Sequence, residues 1–187
     1  MTIDFVSCEF CNGNHNTRNC QTELTLAPEI KKLIGRLMEY YFCNFFSCPG
    51  CNNKTLTVLG NNKPSLDIIC SSCSKNIEIK SKCLSIDKLP NDIICHGGNY
   101  NKFINNITNI NLDLIVIIYG VHRKSKEIYI RKIYYLPNNI LRDSKIITIN
   151  KCNKSTLSFI NIKNTNKLNN ICGNVKQIIS FKNIFNK

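Results

Sequence analysis

No stretch of this chain is both long enough and apolar enough to cross a membrane. The longest apolar run, Leu112–Tyr119, falls well short of the roughly 20 residues a spanning helix needs. The opening residues, Met1-Thr2-Ile3-Asp4, lack the basic start and apolar core of a secretory signal, so cytosol or nucleus is expected. Acid is scarce as well. Twelve Asp and Glu stand against 25 Lys and Arg, a formal net charge of +13, which favours a polyanionic partner. Apolar residues still make up 43% of the 187, enough for a real core and against general disorder. That length holds one domain of ordinary size and a small appendage. Heavy use of Asn, Ile and Lys suggests an AT-rich coding sequence, as in a virus-encoded protein, and says little about function.

Cysteine, by contrast, is abundant: there are twelve. A secreted disulfide scaffold is disfavoured, because seven of them fall at metal-ligand spacings and a chain of this length needs no staples. Cys48-Pro49-Gly50-Cys51 and Cys70-Ser71-Ser72-Cys73, eighteen residues apart, form a zinc-ribbon pattern. Each pair turns as a tight knuckle, and together they offer four thiolates to one tetrahedral Zn²⁺. A second set, Cys8, Cys11, His15 and Cys20, resembles a zinc knuckle of the kind that grips single-stranded nucleic acid, with one residue fewer than usual before the histidine. Phe10, between its first two ligands, is placed to stack on a base. Two structural zinc ions are therefore expected, and they leave the protein basic, at about +10. Cys43, Cys83, Cys95, Cys152 and Cys172 show no paired spacing and read as buried thiols.

The carboxylates around the second CxxC pair carry a further signal. Residues 66–69 and 76–80 read as short strands joined by the Cys70–Cys73 turn. The two-residue period puts Glu78 and Lys80 on one face of the second strand and Ile77 and Ile79 on the other. Folding the hairpin brings Asp67 beside them. Asp67, Glu78 and the Ile79 carbonyl then make a hard-oxygen site for Mg²⁺ or Mn²⁺, with Lys80 close to an attacking water. These side chains support no core on this reading.

The pattern Pro64-Ser65-Leu66-Asp67 followed by Glu78-Ile79-Lys80 resembles the PD-(D/E)XK nuclease superfamily. With Tyr41-Phe42 ahead of the first knuckle, "NNKPSLDIICSSC" and "IEIKSK", it resembles more closely the zinc-containing catalytic domain of the restriction endonucleases that cut adenine-methylated DNA. The resemblance runs from about residue 25 to about 145 and is strongest over 41–82. It implies an α/β (α+β) restriction-endonuclease-like core with an embedded four-cysteine ribbon. It also implies a Mg²⁺-dependent endonuclease in which Asp67, Glu78 and Lys80 are catalytic. The enzymes it resembles continue into a winged-helix domain, for which the last ~40 residues are too few.

The rest of the chain fits that frame. Thr25–Tyr41 is an amphipathic helix with Leu26, Ile30, Leu33, Ile34, Leu37, Met38 and Tyr41 on one stripe. Glu39 lies away from that stripe and is expected in solvent, although a first helix sometimes lends a carboxylate in folds of this kind. Thr55–Leu59 is a strand, 82–96 a loop, and His96–Tyr100 the start of a helix whose Gly97-Gly98 pair offers N–H groups to a phosphate or simply turns. Leu112–Tyr119 reads as a central strand buried on both faces, pairing with Glu127–Tyr135 across a basic turn that holds His122. Residues 144–187 read as edge strands and a closing helix. The organisation expected is a knuckle over 1–22 and a nuclease-like domain over 23–187, with the ribbon at 48–73. Its partner is nucleic acid, DNA ahead of RNA, and no membrane. Two other readings stay open: a catalytically inactive zinc-dependent nucleic-acid-binding protein, and a transcription-type ribbon whose charges are merely solvated.

Overall fold

A computed structural model of the chain describes residues 28–60, 66–84, 92–122, 127–151, 157–170 and 177–180. The knuckle residues Cys8, Cys11, His15 and Cys20 lie outside them, as do Cys152 and Cys172. Helix α1 spans Pro28–Phe45. Proline suits its first position, where the missing N–H is no loss, and Glu29 suits the positive end of the helix dipole. Ile34, Met38, Tyr41 and Phe42 are its buried stripe. Strands β1 (Leu56–Val58), β2 (Ile68–Cys70), β3 (Asn76–Cys83) and β4 (Ile93–Asn99) follow. Next come α2 (Tyr100–Asn109), β5 (Leu112–His122), β6 (Glu127–Leu136) and the single turn α3 (Asn138–Leu141). Strands β7 (Ile147–Lys151), β8 (Leu157–Ile162), β9 (Asn169–Asn170) and β10 (Gln177–Ser180) complete the described chain. No helix among the described residues is long and apolar enough to cross a membrane.

The main sheet has the order β1-β2-β3-β5-β6-β10, with β9 also on β6, and a second sheet has the order β4-β8-β7. β3 and β5 are parallel while the other pairs are antiparallel. A parallel pair needs a crossover, and here β4 and α2 supply it. Alternation along β5 divides the interior. Ile115, Ile117 and Tyr119 pack under α1 with Ile77 and Ile79. Leu112, Leu114, Val116 and Ile118 pack on the opposite face with Phe103 and Ile107 of α2 and Ile160 and Ile162 of β8. β5 is thus covered on both faces, as its apolar run predicts, and it pairs with β6 as expected.

Several expectations need correction. The order of one helix, three strands, a helix and two strands gains β4 ahead of α2. Residues 93–96, read as loop, belong to β4, whose inward residues Ile93 and Cys95 are buried while Ile94 and His96 are exposed. Gly97-Gly98 ends that strand rather than opening the helix. A side chain at Gly97 would come within 2.7 Å of the Ser158 hydroxyl, so close packing on β8 explains that glycine, while the left-handed φ of +75° explains Gly98. Asn99 is a plain N-cap, its Oδ1 accepting from Lys102 N at 3.1 Å. Over 144–180 the described residues form the strands β7, β8, β9 and β10, as expected, with a 3₁₀ turn at Thr165–Lys167. No closing helix occurs among the described residues of 144–180, and 152–156, 171–176 and 181–187 lie outside them.

Candidate active site and metal centre

The four cysteines of the two knuckles converge. Their Sγ atoms all lie within 4.8 Å of one another, with Cys48–Cys73 and Cys51–Cys70 each at 3.6 Å. A disulfide would need about 2.05 Å. Zinc with bonds of about 2.3 Å to four tetrahedral sulfurs sets their spacing near 3.8 Å, which is the arrangement found. Each knuckle ends in a left-handed residue, Asn52 (φ 60°) after Cys51 and Ser74 (φ 53°) after Cys73. Cys48 N donates to Asn53 O and Cys70 N to Lys75 O, closing the two turns. The thiols differ in acidity. Burial pushes Cys48 up to about 12. At Cys70 burial acts the same way but is outweighed by hydrogen bonds, first the one shared with the Thr55 hydroxyl at 3.2 Å, so that thiol falls to about 6. Thiolate is the metal-binding form, and Thr55 is a helper the spacing pattern did not reveal.

The knuckle at Cys70–Cys73 is the turn of the β2–β3 hairpin, whose register pairs Ile68 with Ile77 and Ile69 with Asn76. One step further Asp67 stands opposite Glu78. Asp67 N donates to Ile77 O at 3.2 Å, and there the backbone ladder stops. The next donor on that edge of β3, Ile79 N, is taken by the Asp67 carboxylate itself, through Oδ2 at 2.7 Å. Because N–H and C=O of a strand residue point to the same edge, the Ile79 carbonyl also faces the carboxylates. Glu78 and Lys80 share the other face of β3 from the core residues Ile77 and Ile79, as their alternation predicts. Glu78 is only 4% exposed. Its Oε1 accepts from the Lys80 ammonium, while its Oε2 is buried with no hydrogen-bond partner.

Charge is concentrated here. Burial, and then the charge of Glu78, push Asp67 up to about 6 against the opposing pull of the Ile79 N–H, Lys80 and Arg36. Burial disfavours the ammonium of Lys80, but Glu78 and Asp67 outweigh it and hold the group above its ordinary value. Glu39 belongs to the same cluster. The expectation of a solvated side chain is not met. Glu39 is half-buried, and burial, then Asp67, raise its carboxyl to about 7.

A second polar group was missed because it sits inside the apolar run. Asp113 is fully buried. It pairs with Lys75 Nζ at 3.2 Å, accepts from the Tyr135 hydroxyl at 2.7 Å and from Asn138 N at 2.8 Å. Lys75 passes over the first knuckle, within 3.1 Å of where a Gly50 side chain would begin. The ribbon is thereby tied to the centre of the sheet. Among the remaining cysteines Cys95 is buried, as expected, while Cys43 and Cys83 are only half-buried. His122 ends β5, and its side chain lies outside the described residues.

The donor set suits a hard divalent cation, and the partnerless Glu78 Oε2 is the vacancy in hydrogen bonding that such an ion would fill. Among the described residues only the four cysteines bring three or more ligand atoms within 4.8 Å of one another, so Glu39, Asp67 and Glu78 form a looser group. No curated protein matches the chain. A family does, over residues 14–185, which is nearly the whole sequence. With its four-thiolate centre and a restriction-type nuclease as the family's activity, this chain belongs to the Dam-replacing family of methylation-dependent restriction endonucleases.

Proposed function

We propose that the chain is a Mg²⁺- or Mn²⁺-dependent DNA endonuclease of PD-(D/E)XK type, with Asp67, Glu78 and Lys80 as its catalytic residues. The observation that carries this reading is the buried, partnerless oxygen of Glu78 beside Asp67 and the Ile79 carbonyl. Those three groups would hold the divalent ion, which when bound supplies Lewis acidity and an activated water. Lys80 is held as an ammonium by two carboxylates, so it stabilises charge on the phosphate and does not take the proton from water. Glu39, at about 7, is matched to accept a proton near neutral pH. Zinc at Cys48, Cys51, Cys70 and Cys73 is structural. A further zinc knuckle at Cys8, Cys11, His15 and Cys20 belongs to the same proposal and would engage unpaired bases.

The test is incubation of purified protein with methylated and unmethylated duplex DNA, single-stranded DNA and RNA, each with Mg²⁺ or Mn²⁺. Fragments from duplex DNA that vanish when the divalent ion is left out support the proposal. Tight binding with no cleavage of any substrate would favour an inactive nucleic-acid-binding protein.

A further inference from the structure

We infer that Arg36 is a phosphate-binding residue of this site, gripping the DNA backbone beside the scissile bond. The inference rests on the nuclease reading and adds a residue that the D…ExK pattern does not contain. Arg36 is one turn before Glu39 on α1, and the two project within about 60° of each other around the helix. Its guanidinium extends to the end of β1: Nη2 lies 3.8 Å from the point where Gly60 would carry a side chain. Gly60 has φ +68° and follows Leu59, whose N–H donates to Asp67 O at 2.8 Å. The fork therefore sits over the chain segment that flanks Asp67, half-buried and not extended into bulk water. Its charge reaches the site, lowering the proton affinity of both Glu39 and Asp67.

Charge balance gives this position a purpose. In the ionised state in which Glu39 can accept a proton, Glu39, Asp67 and Glu78 outnumber Lys80 by two charges, so the cluster repels a phosphodiester. One divalent ion would only neutralise that excess. Arg36 turns the metal-loaded site net positive, and its planar fork matches two phosphate oxygens where an ammonium offers a point charge.

The experiment measures binding of a duplex oligonucleotide by fluorescence anisotropy with Ca²⁺ in place of Mg²⁺, across a salt series, with melting temperature and zinc content recorded for each protein. Arg36→Gln should bind roughly tenfold more weakly, and its log K against log salt slope should be shallower by about 0.9, one phosphate contact. Arg36→Lys should keep the slope and lose part of the affinity, and it decides the question if the glutamine variant does not fold. Unchanged affinity and slope in folded variants, with only the metal half-saturation altered, would make Arg36 a counter-ion of Glu39 and overturn the inference. Wild-type protein that binds no DNA would instead sink the nuclease reading and this role with it.

Discussion

Replacing Asp67 separates what its carboxylate does for the fold from what it does for chemistry. Oδ2 accepts the Ile79 N–H at 2.7 Å, beyond the last paired residue of β2. Asp67→Ala leaves that partly buried donor unpaired, at a cost of about 1–3 kcal/mol. For a chain of this size each kcal/mol lowers the melting temperature by about 2–4 °C, so the alanine variant should melt roughly 2–12 °C below wild type. Asp67→Asn keeps an amide oxygen for the same N–H. It also removes the like charge that presses on Glu78 and Glu39. In buffer free of divalent ions it should melt at or above the wild-type temperature. Neither variant should cleave DNA. The assay is calorimetry in resin-treated buffer, with no soluble chelator to strip the ribbon, run beside plasmid cleavage in Mg²⁺. Equal melting of the two variants would show that Ile79 N does not depend on this acceptor, and cleavage by Asp67→Asn would remove Asp67 from the chemistry.

Three further outcomes are expected. Elemental analysis of native protein should find two zinc ions per chain, and Cys73→Ser should perturb circular dichroism more than Cys11→Ser, because the ribbon is part of the β2–β3 hairpin; protein free of zinc would refute both sites. Gly120→Ala should destabilise by about 1–3 kcal/mol in urea titration, since a side chain there would meet the Tyr129 ring at 2.1–2.7 Å; wild-type stability would mean the ring moves freely aside. Protein that keeps its zinc but is free of Mg²⁺ and Mn²⁺ should lose stability as pH rises from about 4 to about 7. Over that window Glu39 (4.5 to about 7) and Asp67 (3.8 to about 6) bind protons more tightly folded than unfolded, so the unfolded state gains as they ionise. Cleavage should rise with pH over the upper part of this window and shift to lower pH as Mg²⁺ is raised; a midpoint indifferent to Mg²⁺ would contradict metal binding by these acids.

What the sequence made legible were features fixed by short-range geometry. Two CxxC turns must present sulfurs in pairs, and Glu78 and Lys80 must share a strand face when Ile77 and Ile79 turn to the core. The same holds for the β5–β6 hairpin, where one long buried strand pairs with the next. The features that stayed hidden depend on neighbours distant in sequence. Glu39 looks solvated on a helical wheel because the wheel does not contain Asp67, Glu78 and Lys80, which the fold brings near it. Asp113 looks like a gap in an apolar run until Lys75, Tyr135 and Asn138 are seen around it. β4 is masked by Cys95-His96-Gly97-Gly98, whose strand character comes from pairing with β8, some sixty residues on.

The ribbon's importance to the site follows from register. Asp67 faces Glu78 only because Ile68 pairs with Ile77, and a one-residue slip would turn every side chain of one strand to the opposite face. β2 is three residues long, with two paired positions against β3, too few to fix that alignment by hydrogen bonds alone. A shared zinc ion would hold Cys70 at the end of β2 and Cys73 in the turn to Cys48 and Cys51, and Lys75 is held to Asp113 on β5. Both tethers act at the turn end of the hairpin, each against a different part of the fold. A zinc ion about which no bond is broken or made would in this way decide whether Asp67 and Glu78 meet at all.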